Sequence, residues 1–218
     1  MSKKEEKQKG AVLTAFIDTT LEKEAFPLSV FKFCKDNDIE EKFFYKHFGS
    51  LDAVKGQIWE FFYDNAMGLL EKDATFENAS PKDKLLSFYF TFFEVLLLNR
   101  SYVLFSLSSH QSNRVKMSQL SKMRSSFKDF AEDLIDTGNA NKNESYLQHP
   151  PKIFSEGAWI QFAFLMKFWI NDTSVDFEKT DQAIEKSVQT AFDLFDNTPL
   201  GTLVDFGKFL WKEKFVFN

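Results

Sequence analysis

Leu51, Val54, Ile58, Phe61 and Phe62 follow one another at intervals of three and four residues, and Leu69 and Leu70 prolong the same stripe. A stripe of that period leaves its residues on one side of an α-helix and on both sides of a strand, so this stretch must be a long amphipathic helix. The period recurs along the chain. It is found at Val12, Leu13, Phe16, Ile17 and Leu21, and again at Met117, Leu120, Met123, Phe127, Phe130 and Leu134. Only 8 Gly and 5 Pro in 218 residues interrupt it, and no strand-like alternation competes with it. The expected fold class is all-α.

Local signals divide the chain. A first helix is expected from about Lys9 to Lys23, ended by "FPLS", where Pro27 disfavours helical geometry at Phe26 and Ser29 can cap a second helix through Val30, Phe33 and Cys34. "DND" makes a turn, and a third helix runs from Glu40 to His47 with Phe43, Phe44 and Phe48 inward and Ile39 beneath it. Ser50 caps the long fourth helix. "SPKD" at 80–83 starts a Phe-rich helix reaching about Leu98. Helices from Ser101, from Arg114 to Ile135, from Ile153 to Ile170 and from Phe177 to Phe195 follow, with a polar loop "DTGNANKNESYLQHPP" and a last amphipathic helix from Pro199.

Composition restricts function. A net charge of −5 removes the general basic attraction most nucleic-acid binders use, leaving only a local basic face. The single cysteine, Cys34, excludes an intrachain disulfide and reads as a small buried apolar residue. A charged start and apolar runs shorter than a membrane span predict a cytoplasmic protein. No enzyme is expected: there is no phosphate-cradling glycine loop, nucleophile elbow or HExxH, and His47, His110 and His149 are scattered. Neither a cofactor nor a metal site is expected.

The segment "VFKFCK", the turn "DND", then "IEEKFFYKHF" and "GSLDAV" resembles the N-terminal helix-turn-helix of the tetracycline-repressor (TetR) family of transcription regulators. Phe44, Tyr45, Phe48 and Ser50 match its aromatic recognition helix and the Ser-capped helix after it. The resemblance implies a TetR-like fold: a three-helix head over residues 1–50, joined by a long helix to a ligand-binding and dimerisation body over 51–218. It also implies a ligand-responsive regulator that binds a DNA operator, with Lys42, Tyr45, Lys46, His47 and Lys55 as contact candidates. The chain departs from the family where Asp38, Glu40 and Glu41 stand in place of small or basic residues, and Arg100, Arg114 and Arg124 all lie outside the head. Acids favour the helix end but oppose phosphate.

A ligand pocket in the body would be lined by Phe88, Tyr89, Phe92, Phe93, Phe105, Met123, Phe127, Trp159, Phe162 and Met166, a set suited to a hydrophobic small molecule or lipid. The same rings could equally fill a solid core. "FWINDTSVDFEKTDQAIEKSV" is similar to the C-terminal segment of the TetR-fold lipid-binding proteins of ubiquinone biosynthesis, which implies an alternative: a lipid- or quinone-binding protein that no longer binds DNA. Family likeness implies a homodimer through the helices around Trp159–Trp169 and Phe177–Phe195. The last stripe, Leu200, Leu203, Val204, Gly207, Leu210 and Trp211, is expected to pack on the protein, with membrane contact as the other possibility.

Overall fold

A computed structural model describes residues 3–108, 112–140 and 150–197. Every regular element among them is helical: α1 (Lys3–Glu22), α2 (Val30–Asp36), α3 (Glu41–His47), α4 (Leu51–Leu70), α5 (Ala74–Glu77), α6 (Pro81–Leu97), α7 (Arg100–Ser106), α8 (Asn113–Ala140), α9 (Pro151–Asn171) and α10 (Glu178–Asn197). The all-α, TetR-like class expected from the sequence is the one observed. His110, His149 and the stripe from Leu200 to Trp211 lie outside the described residues.

The caps fall where the sequence puts them. Ser29 Oγ accepts from the Lys32 amide at 3.1 Å, Ser50 Oγ from Ala53 at 3.1 Å and Ser80 Oγ from Asp83 at 3.1 Å, each filling an orphan donor of a first helical turn. Three details differ. α1 begins six residues before the expected Lys9, at Lys3, and α8 continues to Ala140 through the start of the expected polar loop. The short α5, capped by Asp73, has no apolar period to announce it. Along the stripes, Leu69 and Met117 are exposed and Phe61 is partly so, because a core covers a narrower arc than the apolar residues occupy.

Packing divides the chain into two compact units. One comprises residues up to Asp64 with Val95–Met123; the other comprises Asn65–Glu94 with the residues from Arg124 onward. In the first, the ring of Phe16 meets Phe26 at 6.0 Å and Phe33 at 5.7 Å, and Phe33 meets Phe44 at 6.1 Å. Val54, Ile58, Trp59 and Phe62 of α4 are buried.

In the second unit α9 and α10 form a hairpin whose corner is built on Asp172. Asp172 Oδ1 accepts from the Ser174 amide (2.8 Å) and hydroxyl (2.7 Å); Oδ2 accepts from the Thr180 amide (2.9 Å) and hydroxyl (2.6 Å). Burial pushes this carboxyl up, but the hydrogen bonds from Thr180 and Ser174 outweigh it and hold it well below the usual carboxylate range. Asp172→Asn, which keeps the shape and loses the charge, should therefore be less stable than wild type near neutral pH. Because the folded-state pKa is depressed, the difference should be complete above the unfolded carboxyl pKa of about 3.9 and should close as pH falls below it. Thermal melts of both proteins between pH 7 and pH 3 measure this.

Candidate functional site

The head is built around the turn between α2 and α3. Asn37 Nδ2 donates to the Phe33 carbonyl at 2.8 Å and to Thr19 Oγ1 at 3.2 Å, which ties the turn to α1. Asp38 follows with φ 54°, a left-handed conformation that aspartate tolerates better than most residues. The next turn uses Gly49 at φ 70°. A Cβ there would meet nothing within 4 Å, so glycine serves the backbone angle rather than the packing. Phe44 and Phe48 of α3 are buried with rings 5.4 Å apart, whereas Phe43 is only half-buried.

The five candidate DNA contacts do not share one environment. Lys42 and Tyr45 are exposed on α3, Tyr45 at 54%. Lys46 also reaches solvent, but its Nζ donates to Glu5 Oε1 of α1 at 2.5 Å. His47 is half-buried, its ring 4.5 Å from that of Phe43 and its Nε2 covered. Lys55 is largely covered: its side chain is only 13% exposed, paired with Asp52 at 2.8 Å and lying 4.2 Å above the Phe26 ring. Its charge serves the packing of α4, because a cation over an aromatic face gains more there than in water.

The acids at the start of α3 act locally. Glu40 is the N-cap in an extended conformation and makes no side-chain capping hydrogen bond. Glu41 is half-buried. Burial pushes the Cys34 thiol up and the Glu41 charge adds to it, so this cysteine is an inert core residue.

The ten proposed pocket residues are shared between the two compact units. Phe105 packs edge-on against Phe26 at 5.1 Å in the first unit, where Met123 is also buried. The other eight, Phe88, Tyr89, Phe92, Phe93, Phe127, Trp159, Phe162 and Met166, are buried in the second unit. Their rings touch one another. Phe88 lies 5.4 Å from Phe92 and 5.3 Å from Phe127; Phe162 lies 5.0 Å from Trp159, 5.5 Å from Phe127 and 5.6 Å from Phe92. Tyr89 donates to the Ala158 carbonyl at 3.2 Å. At these separations the rings fill the space between helices with each other.

Three polar groups escaped the sequence analysis. Trp59 Nε1, Tyr102 Oη and Gln119 Oε1 are buried in the first unit without a hydrogen-bond partner among the described residues, while Gln119 Nε2 donates to the Ser106 carbonyl at 2.9 Å. Burial pushes the Tyr102 phenol up. Periodicity marks such positions only as core, so the sequence carries no signal for them. A groove of about 350 Å³ also lies at the α9–α10 corner, lined by Phe164, Lys167, Phe168, Asn171, Asp172, Thr173 and Lys179. No single described helix is long and apolar enough to cross a membrane.

Comparison with known families decides the membership. Residues 84–210, more than half of the chain, match the tetracyclin repressor-like C-terminal domain. The chain belongs to the TetR family. No curated protein matches it. The family match begins within α6 and so lies outside the head.

Two variants probe these environments. Phe162→Ala should cost about 3–5 kcal/mol in chemical denaturation, since it opens a hole among touching rings; a ring bordering a ready-made hollow would cost much less. Lys55→Ala should cost about 1 kcal/mol of stability, the loss of a cation over an aromatic face and of its covering stem.

Proposed function

We propose that this TetR-family protein is a ligand-responsive, DNA-binding transcriptional regulator. The observation that carries this reading is the head: Ser29 caps α2, Asn37 ties the turn to α1, and the left-handed Asp38 lies in the short turn between α2 and α3. Lys42 and Tyr45, exposed on α3 and without an ion-pair partner among the described residues, are the primary DNA contacts, with Lys46 exchanging Glu5 for phosphate on binding. The protein acts as a homodimer, which two half-sites of an operator require. Ile160 and Phe164, 58% and 54% exposed on one face of α9, supply apolar surface for the partner. A hydrophobic effector biases α4, which starts directly after the Gly49–Ser50 turn, and so changes the spacing of the two heads.

Selection of operators from random duplexes at low salt tests the reading. An enriched two-half-site sequence, bound markedly less well by Lys42→Glu, is expected. Failure to enrich any sequence overturns it.

A second reading is favoured by the paired cations. Lys46 is held by Glu5 and Lys55 lies over Phe26, so two of the four lysine and histidine candidates are engaged within the protein, while Asp38 and Glu40 are exposed at the start of α3. Under this reading the protein keeps the architecture and binds a lipid or quinone instead of DNA. Native mass spectrometry distinguishes it: a co-purified or added lipid stays bound if it holds, and none does if it fails.

A further inference from the structure

The segment Val95–Met123, which packs with the residues up to Asp64, contains no aspartate or glutamate. All 32 acids of the chain lie elsewhere, while Arg100, Arg114, Lys116 and Lys122 lie within it. A chain of net charge −5 thus concentrates positive charge on one stretch of its first unit, and such asymmetry points to an anionic partner. Lys122 stands near Asp64 of α4, but Arg114 and Lys116 have no ion-pair partner among the described residues.

The same stretch places apolar side chains in solvent. α6 and α7 meet at a bend of 91°, and Leu98, at the bend, is 86% exposed. α7 is two-sided: Tyr102, Val103 and Ser106 are buried, whereas Ser101 and Leu104 are exposed, Leu104 at 36%. α8 repeats the division, with Gln119 and Met123 buried and Arg114, Met117, Ser118 and Ser121 exposed, Met117 at 46%. Gln119 Nε2 donates to the Ser106 carbonyl at 2.9 Å, which ties the inner sides of the two helices together and leaves their outer sides at one corner of the unit. On α8, Arg114 and Met117 are three residues apart and share a face. A single exposed apolar side chain is ordinary, but three on one acid-free stretch call for a partner.

We propose that this corner docks on an anionic lipid surface, with Arg114 and Lys116 at the headgroup phosphates and Leu98, Leu104 and Met117 entering the boundary with the acyl chains. The combination selects this occupant. Duplex DNA would answer the cations but offers three apolar side chains nothing to enter along its phosphates, and a second copy of the chain would bring the same cations and no acid to pair with them. An anionic bilayer meets both demands, because interfacial binding adds apolar burial to the attraction of basic groups. The helices lie on the surface rather than cross it, since α6 has Phe88, Phe92 and Phe93 buried in the second unit. Neither reading of function is needed for the docking, and the corner shares no residue with the α9 face offered to a partner subunit.

Flotation of the full chain with vesicles tests the proposal. Vesicles of equal parts phosphatidylcholine and phosphatidylglycerol should carry more protein than vesicles of phosphatidylcholine alone, and added salt should reduce the difference. Arg114→Glu/Lys116→Glu should weaken binding to the mixed vesicles about tenfold or more. Leu98→Ser/Met117→Ser should weaken it by a similar factor. Thermal melts of both variants should match wild type, since none of these side chains is buried. The proposal is overturned if wild type shows no preference for the mixed vesicles, or if either variant binds them as wild type does, which would place lipid contact elsewhere in the chain. It is also overturned if the charge reversal acts only on binding to random duplex DNA or only on self-association in sedimentation, which would assign the corner to nucleic acid or to a second copy. A failed operator selection would leave all of these outcomes unchanged.

Discussion

Ring-against-ring contact inside each compact unit is the interaction on which the other features rest. In the first unit it runs through Phe26, Phe16, Phe33 and Phe44, and so fixes α1, α2 and α3 together. In the second it joins Phe88, Phe92, Phe127, Trp159 and Phe162 across α6, α8 and α9. Aromatic side chains bury large areas with few rotatable bonds, so a chain with 28 phenylalanines can build well-defined interiors from short helices. The caps and turns then decide where each helix starts, and the rings decide what it faces.

The head shows how one set of residues can satisfy folding while restricting binding. Three lysines of the first unit are drawn into the structure: Lys23 pairs with Asp36, Lys46 with Glu5, and Lys55 with Asp52 above Phe26. Exposed ion pairs contribute little stability, so the Lys46 pair can be exchanged for phosphate at small cost. Lys55 is different, since withdrawing it uncovers an aromatic ring.

Much of the fold was legible beforehand because it is set by near neighbours. Ser29, Ser50 and Ser80 cap helices through amides three residues ahead, and the Asp36–Asp38 turn depends on the conformational tolerance of Asn and Asp. The helical period identified the core faces, with Phe61, Leu69 and Met117 as exceptions at the edges of their stripes. The ligand-pocket set was less legible. Phe105 carries the same apolar signal as Phe127, yet one packs on Phe26 in the first unit and the other on Phe88 in the second.

Sequence by itself determined the all-helical class, the caps, the helix-turn-helix outline and the family, because these depend on spacing within a few residues or on pattern along the chain. Tertiary structure alone decided which cations are paired, since Lys46 finds Glu5 from 41 positions away and Lys55 finds Phe26 with α2 and α3 between them in the chain. It alone decided that the phenylalanines of the second unit face each other, and that two lysines and two rings meet at the Asp172 corner. Charge pairing and ring packing act through space, and the distances that govern them are created only when the helices come together.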